Sequence, residues 1–254
     1  MNIYFIGAGP GDPELITLKG KRLITEADII IYAGSLVNPA VIAERKTDCV
    51  VYNSASMDLP EIVKVMIDGA KADKLVARVH TGDPSIYGSI REQMEELDKH
   101  SLSYEVVPGV SSFTAAAAAV KKEFTVPEIS QTIILTRTEG RTPVPELERL
   151  NFLASHKASM AIFLSVQLMD DVVRLLSEHY SMETPVAVVE KASWPEQRIV
   201  QGTLSDIASK VKEAGISKTA QILVGEFLGT TYNNSLLYDP NFTHEFRTGK
   251  PCGE

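Results

Sequence analysis

The chain has 254 residues, of which 44% are apolar and 23% are charged. These values are typical of a globular protein of one or two domains, and they exclude disordered, collagen-like and disulfide-scaffold proteins. Lys and Arg together number 25 against 33 for Asp and Glu, which gives a formal net charge of −8. Because negative charge repels phosphate backbones and anionic membrane surfaces, we expect neither nucleic acid nor a membrane as a partner.

The cysteines and the apolar segments give no sign of an extracellular or membrane protein. Cys49 and Cys252 lie far apart and match no disulfide framework or zinc-binding spacing, and the five His residues have no ligand spacing. We therefore expect no protein-bound metal. No apolar run approaches the ~20 residues that a membrane-spanning helix needs, and the first six residues are typical of a strand rather than a signal peptide. These features predict a cytoplasmic protein.

In the first half of the chain, short apolar runs rich in β-branched residues alternate with turn residues and segments of helical periodicity. This alternation predicts a largely parallel α/β sheet. The predicted strands span residues 3–6, 28–32, 49–52, 74–79 and 104–107. The predicted helices span residues 18–24, 62–70, 90–97 and 111–120.

The second half has the same character with one difference. Its predicted strands span residues 132–136, 160–165, 185–190, 198–203 and 221–225, and its predicted helices span residues 145–156, 168–178 and 205–214. The turn around Trp194 and Pro195 leaves no room for a helix, so it joins two strands as a hairpin and makes this sheet mixed. We predict an N-terminal α/β domain at residues 1–119, a C-terminal α/β domain at residues 120–240 and a tail at residues 241–254.

A glycine-rich loop, Gly-Ala-Gly-Pro-Gly-Asp-Pro, follows the first predicted strand at residues 7–13. A dinucleotide-binding loop needs a different glycine spacing, and here Pro10 removes an amide while Asp12 places a carboxylate where a phosphate would bind. A Walker loop is excluded because no Lys-Ser/Thr pair follows the glycines. Two interpretations stay open: a tight turn in which Asp12 caps a helix that starts at Pro13, or a ligand-binding loop that is not built for phosphate.

Two further loops follow the fourth and fifth predicted strands, at residues 80–88 and 107–112. The fourth strand is expected to be central, and ligands of open α/β sheets bind outside the carboxyl ends of such strands. Gly82 would let a ligand approach the backbone, and Asp83 offers acceptors for a ribose diol or a cationic group. The alternative for Asp83 is an ordinary turn that starts a helix. We predict that the three loops face one crevice.

Together these motifs resemble the tetrapyrrole methylase family, the class III S-adenosylmethionine methyltransferases. The resemblance is carried by residues 7–13, 32–36, 81–84 and 107–112 in the first half and by residues 184–190, 197–198 and 225–226 in the second. It implies a two-domain α/β fold, with a mainly parallel sheet in the N-terminal domain and a mixed sheet in the C-terminal domain. It also implies that the methyl donor binds in the cleft between the domains, and that the protein is a homodimer.

The resemblance further implies which residues contact S-adenosyl-L-methionine and its product, S-adenosyl-L-homocysteine. They are Pro10, Thr81, Gly82, Asp83, Ile86, Ser111, Ser112, Leu164, Ala192 and Ala220. Some relatives carry Met at the position of Leu164. For Ala192 and Ala220, ordinary strand packing is an equally good interpretation of the sequence.

Residues 32–37, 135–143, 235–239 and 243–247 resemble one branch of the family, which methylates a reduced tetrapyrrole polycarboxylate of cobalamin biosynthesis. The uroporphyrinogen-III methylases resemble the chain less in these segments and are the alternative within the family. More distant alternatives are an RNA or protein methylase of the same fold, which would need a basic surface, and a nucleotide-binding regulatory module.

A polycarboxylate substrate needs donors that are always charged and forked, as arginine is. We predict that Arg137 and Arg141 bind its carboxylates and that Tyr32 and Ser35 line the substrate trough. Glu190 and Glu226, at strand ends, are predicted to be structural acids. Methyl transfer from a sulfonium needs alignment and exclusion of water rather than a covalent nucleophile. The sequence accordingly identifies no catalytic residue.

Overall fold

The computed structural model describes residues 2–230 and 234–250. The chain divides into two compact units, one formed by Met1–Ala115 with Lys191–Gln197 and the other by Ala116–Glu190 with Arg198–Glu254. This division falls a few residues before the predicted boundary, and it adds a short segment of the second half to the first unit. The end of the predicted tail, with Cys252, lies outside the described residues.

The first unit contains a sheet of five parallel strands in the order β3-β2-β4-β1-β5. The strands are β1 (Ile3–Gly7), β2 (Ile29–Tyr32), β3 (Val50–Asn53), β4 (Val76–His80) and β5 (Tyr104–Val107). The predicted parallel sheet is confirmed, and β4 occupies the expected central position. The carboxyl ends of all five strands therefore lie at one edge.

Helices cover both faces of this sheet. They are α1 (Leu18–Glu26), α2 (Leu59–Lys71), α3 (Arg91–Lys99) and α4 (Ser112–Ala119), of which α4 extends across the division between the units. Alternate strand residues enter two separate apolar clusters, Ile6 and Ile30 in one and Phe5 and Ile31 in the other. Burial on both faces is the normal condition of a parallel sheet and explains why its strands are continuously apolar.

The second unit contains a mixed sheet in the order β6-β7-β10-β8-β9. Its strands are β6 (Ile133–Arg137), β7 (Ser159–Phe163), β8 (Pro185–Glu190), β9 (Arg198–Thr203) and β10 (Ala220–Val224), and its helices are α5 (Leu150–Ala154), α6 (Met169–Leu176) and α7 (Ile207–Glu213). The β6 and β7 strands are parallel, and the other three pairs are antiparallel. The predicted mixed sheet and the β8–β9 hairpin are confirmed.

The single helix predicted for residues 145–156 is wrong. The structure has a 3-10 turn at Glu146–Glu148 and the five-residue α5, separated by Arg149 in an extended conformation with ψ of 144°. Leu147 is 81% exposed, so the first turn buries no apolar side chain that would hold it in a longer helix.

Across residues 2–230 and 234–250, no helix combines the length and the apolar character that crossing a bilayer requires.

Candidate active site

Three loops of the first unit meet at the carboxyl edge of its sheet, after β1, β4 and β5. The Gly82 N–H donates to the Gly9 carbonyl at 2.8 Å, and the Gly9 N–H donates to the Gly82 carbonyl at 3.3 Å. A Cβ added to Gly7 would lie 2.6 Å from both the Gly109 Cα and the Gly82 carbonyl oxygen. The backbones approach so closely that Gly7 excludes a side chain.

Asp83 joins two of these loops. Its Oδ2 accepts a hydrogen bond from the Gly109 N–H at 2.9 Å, and its Oδ1 accepts from the Ser85 N–H at 2.8 Å and from the Ser85 hydroxyl. Partial burial opposes the charged form, but these hydrogen bonds hold the pKa of the Asp83 carboxyl below its ordinary value. Asp83 is therefore ionised and connects two loops at the edge of the sheet. Its Oδ2 can accept one further hydrogen bond.

The turn interpretation of Asp12 is also correct. Its side chain accepts from the Glu14 N–H at 2.9 Å, and Pro13 begins a short 3-10 helix. Asp12 thus caps the short helix that follows the glycine loop, while Gly9 pairs with Gly82 of the neighbouring loop.

The predicted donor residues of this edge surround the paired glycines. Pro10, Gly82 and Ser111 are buried, and Thr81, Asp83, Ile86 and Ser112 are partly buried. A Cβ on Gly82 would have no neighbour closer than the Ser111 Cα, at 3.6 Å. Gly82 is therefore less crowded than Gly7 and Gly109, because a methyl group there would make only ordinary van der Waals contacts.

The β8–β9 loop, Lys191–Gln197, packs against the glycine loop within the same unit. The Trp194 indole Nε1–H donates to the Pro10 carbonyl at 2.9 Å, and the Asp12 N–H donates to the Ser193 hydroxyl at 3.0 Å. Ala192 is 5% exposed beside these contacts. The structure therefore brings Ala192 to the same side of the unit as the glycine loop, although it lies far away in the sequence.

Sequence reasoning missed the side chains that hold the glycine loop. The Asn38 amide donates to the Gly11 carbonyl at 2.8 Å, and Trp194 and Ser193 hold its other side. Trp194 is the single tryptophan of the chain. Its position in a turn rather than in the apolar core was a signal that it contacts something specific.

Tyr32 and Ser35 lie at the same edge, where β2 ends. The Ala33 N–H donates to the Val79 carbonyl at 3.2 Å, which places this turn next to the end of β4. Tyr32 is partly buried and Ser35 is exposed. Both are accessible to a ligand at this edge, and their role in substrate binding stays a prediction.

His80, the last residue of β4, is a buried base beneath the loops. Burial lowers the pKa of its imidazole to about 3, and the positive charge of Arg78 adds to this shift. Its Nε2 has no hydrogen-bond partner among the described residues. Arg78 is itself buried and donates to the Gln93 side chain and the Ile31 carbonyl. The sheet edge therefore carries no charge from His80 at neutral pH.

In the second unit, Leu164 and Ala220 lie at one edge of the mixed sheet, where β7 ends and β10 begins. Leu164 is 69% exposed and has a φ of +54°, a conformation that bulky residues rarely adopt. Ala220 pairs with Glu190, whose carboxylate accepts from the Arg198 Nε at 2.6 Å. This ion pair confirms that Glu190 is a structural acid.

Arg137 and Arg141 have different environments in the loop that follows β6. The Arg137 guanidinium donates to the carbonyls of Thr138, Thr142 and Pro143, at 3.4, 3.1 and 2.7 Å. Arg141 lies within that loop and is exposed. Arg137 therefore shapes the loop that presents Arg141, and substrate binding by either residue stays a prediction.

Residues 2–208 match the model of a family described as Tetrapyrrole (Corrin/Porphyrin) Methylases. This chain belongs to the tetrapyrrole methylase family. A cobalt-precorrin-4 C(11)-methyltransferase from Methanocaldococcus jannaschii is 57% identical to it over 247 residues, which cover 96% of this chain and 95% of that protein.

Two solved structures extend the comparison of this tetrapyrrole methylase. An X-ray structure of a cobalt precorrin-4 methyltransferase matches with a TM-score of 0.88 and 48% identity, covering 90% of this chain and 96% of the other. A uroporphyrin-III C-methyltransferase from Thermus thermophilus, complexed with S-adenosyl homocysteine, matches with a TM-score of 0.71 and 27% identity, covering 90% and 94%.

These comparisons confirm the predicted class of enzyme. The tetrapyrrole methylase is a methyltransferase, and the branch that residues 32–37, 135–143, 235–239 and 243–247 resemble is that of the precorrin-4 C(11)-methyltransferases. Within the described residues, no group of three or more His, Cys, Asp or Glu side chains could hold a metal ion.

Proposed function

We propose that this tetrapyrrole methylase transfers a methyl group from S-adenosyl-L-methionine to carbon 11 of precorrin-4, or of its cobalt complex, in cobalamin biosynthesis. The observation that carries the proposal is the nearly full-length similarity to a cobalt-precorrin-4 C(11)-methyltransferase. We further propose that the protein is a cytoplasmic homodimer.

The carboxyl edge of the parallel sheet fits the methyl donor. Gly82 is less crowded than Gly7 and Gly109, the Ser111 hydroxyl lies 3.9 Å from the position that a Gly82 Cβ would take, and Asp83 is ionised beside it. We assign donor binding to Pro10, Thr81, Gly82, Asp83, Ile86, Ser111, Ser112, Leu164, Ala192 and Ala220. S-adenosyl-L-methionine, when bound, supplies a methyl group activated by a sulfonium.

The residues of the chain bind the methyl donor and orient it. The Asp83 carboxylate complements the positive charge of the donor, and the glycine backbones allow close approach without an intervening side chain. The neutral side chains of Pro10 and Ile86 help to exclude water from the sheet edge. Rate enhancement is then mainly a matter of alignment, which requires no covalent nucleophile from the protein.

The tetrapyrrole carboxylates need positive charge within an acidic protein of net charge −8. Arg141 is exposed and Arg137 organises the loop that carries it, so this loop is the proposed contact for the substrate carboxylates. Tyr32 and Ser35 supply a partly buried ring and an exposed hydroxyl for contacts with the macrocycle.

The test is to incubate the purified protein with S-adenosyl-L-methionine and either metal-free or cobalt-loaded precorrin-4. We expect a mass increase of one methyl group on at least one substrate, with carbon 11 located as the acceptor by NMR. Methylation at another carbon, or a protein without measurable affinity for S-adenosyl-L-homocysteine, would contradict the proposal.

A pair of glycine variants tests the donor site with a matched control. Gly82 has a φ of +61° and Gly215 a φ of +65°, so Ala costs each backbone a similar amount, and Gly215 has no atom within 4 Å of an added Cβ. We expect Gly82→Ala to weaken S-adenosyl-L-homocysteine binding by about tenfold or more, because its methyl group would lie where we propose that the donor approaches the backbone. Gly215→Ala is expected to bind normally in the same calorimetric titration.

A further inference from the structure

We propose that Trp194 is a positioning residue for methyl-donor binding, because its indole fixes the Pro10 carbonyl and with it the backbone that borders the donor site. This inference rests on the proposed function, since it assigns Trp194 to the donor side of that reaction. Trp194 lies outside the set of expected donor contacts and acts through the glycine loop.

The first step is the way in which the glycine loop is held. Trp194 binds the Pro10 carbonyl, Ser193 accepts from the Asp12 N–H, and Asn38 binds the Gly11 carbonyl. Three consecutive residues of the loop therefore have a backbone polar group fixed by a side chain. Each of these groups would otherwise be free to bond to water and let the loop change shape.

The second step is the exclusion of a side chain at Gly11. A Cβ at this position would lie 1.9 Å from Cδ1 of the Trp194 ring. The indole therefore packs directly on the loop backbone, in addition to its hydrogen bond with Pro10. Displacement of the ring would therefore remove both a packing contact and a hydrogen bond from the loop.

The third step concerns the β8–β9 loop itself. Lys191 and Ser193 have φ values of +47° and +69°, in the region that residues with a Cβ avoid. The Lys191 ammonium lies 5.4 Å from the centre of the Trp194 ring, and the Ser193 N–H donates to the Gln197 side chain at 2.8 Å. These contacts offset the cost of the unusual backbone and hold the ring against the glycine loop.

The last step connects Pro10 to the donor residues. Gly9, the residue before Pro10, exchanges two backbone hydrogen bonds with Gly82, which lies between Thr81 and Asp83. Fixing the Pro10 carbonyl therefore also limits the movement of the Gly9–Gly82 pair. Release of the Trp194 contact should weaken donor binding and leave tetrapyrrole binding unchanged.

The test compares Trp194→Phe with wild type by calorimetric titration with S-adenosyl-L-homocysteine and by steady-state kinetics. Phe keeps a ring but removes the N–H, so we expect donor Kd and donor KM to rise roughly two- to tenfold, the range for one neutral hydrogen bond. The tetrapyrrole KM is expected to stay at the wild-type value. In wild type, the emission of this single tryptophan should become less accessible to acrylamide when S-adenosyl-L-homocysteine binds.

Ser193→Ala gives a second measurement in case Trp194→Phe folds poorly, and Ser130→Ala is its matched control. The Ser130 hydroxyl also accepts a backbone N–H at 3.0 Å, from Ser159, but lies outside the proposed site. We expect weaker donor binding for Ser193→Ala and unchanged binding for Ser130→Ala. The inference is overturned if both loop variants bind S-adenosyl-L-homocysteine like wild type, or if they raise donor and tetrapyrrole KM equally. A wild-type protein that does not bind the compound would instead refute the proposed function.

Discussion

The candidate site residues lie at the edges of two sheets that are built by different means. At the edge of the parallel sheet, side chains such as Asp83 and Trp194 hold the loops, but the backbones also pack directly on each other. Gly9 pairs with Gly82, and Gly7 and Gly109 approach so closely that neither can carry a side chain. At the edge of the mixed sheet, the loop after β6 is held by a side chain, because the Arg137 guanidinium donates to the carbonyls of its own loop.

This difference determines which substitutions each edge tolerates. A backbone-built edge fails when a Cβ is added, because the obstructing atoms are main-chain atoms that cannot rotate away. An edge built by an arginine fails when that side chain is shortened, because several carbonyls lose their donor together. Adding a Cβ at Gly109 should therefore cost much more stability than adding one at Gly140.

The largest expected effect is that of Gly109→Ala in the first unit. Its Cβ would lie 2.2 Å from the Gly82 carbonyl oxygen and 2.8 Å from the Gly7 Cα. We expect a loss of more than about 3 kcal/mol in the free energy of unfolding, above the usual range for overpacking, because both obstacles are backbone. Urea unfolding followed by circular dichroism measures it.

The matched control is Gly140→Ala in the arginine loop of the second unit. The nearest atom to its Cβ is Leu168 Cδ1 at 3.5 Å, an ordinary contact. We expect a change within about 0.5 kcal/mol, as for most surface substitutions. Equal losses at the two positions would show that the edges do not differ in the way that the contacts indicate.

The next largest expected effect is a loss of stability at acidic pH, which His80→Gln tests. The pKa of His80 is about 3 in the folded chain and 6.5 for an unperturbed imidazole. Below pH 6.5 the His80 imidazole binds a proton in the unfolded chain but not in the folded chain. The free energy of unfolding of the wild type should therefore fall by ~1.4 kcal/mol per pH unit from this group alone. Above pH 6.5 the group has no effect. His80→Gln should remove this loss in urea unfolding at pH 7.0, 5.5 and 4.5.

Tyr180→Phe in the second unit is the control for the acid measurement. The Tyr180 hydroxyl donates to the Ala158 carbonyl at 2.5 Å, and burial raises its pKa to about 12. Its contribution is present below pH 10 and lost as the pH rises towards 12, so Tyr180→Phe should retain the full acid loss. An acid loss that is unchanged in His80→Gln would exclude His80 as its source.

The smallest effect is expected from Arg137→Met compared with Arg141→Met. Arg137→Met removes the donors of three loop carbonyls and should lower the free energy of unfolding by about 1–2 kcal/mol. Arg141→Met should leave stability within about 0.5 kcal/mol of wild type and raise the tetrapyrrole KM severalfold. A stability loss in Arg141→Met that matched the loss in Arg137→Met would remove the distinction between the two arginines.

Much of the fold follows from local sequence patterns. The strands of both sheets, the central position of β4 and the β8–β9 hairpin were all predicted, because apolar periodicity and turn residues act over a few neighbouring positions. The helix predicted for residues 145–156 failed, because helical periodicity does not show whether Leu147 has a core to pack against.

The candidate site was predicted in part. The loops that meet at the carboxyl edge were identified, because strand ends and glycine turns can be recognised in sequence and parallel strands end together. The positions of Gly82 and Asp83 follow from this rule. The proposed donor contacts in the second unit depended on the family resemblance, since Leu164 and Ala220 carry no local signal.

The sequence by itself determined the elements, the loops at their ends and the family. Only the tertiary structure decided which side chains complete those loops. Trp194 binds the Pro10 carbonyl across 184 positions of sequence, and Arg137 binds its own loop instead of remaining free. The physical reason is that hydrogen bonds depend on distance and direction in space, and residues far apart in the sequence come within reach of each other only in the folded chain.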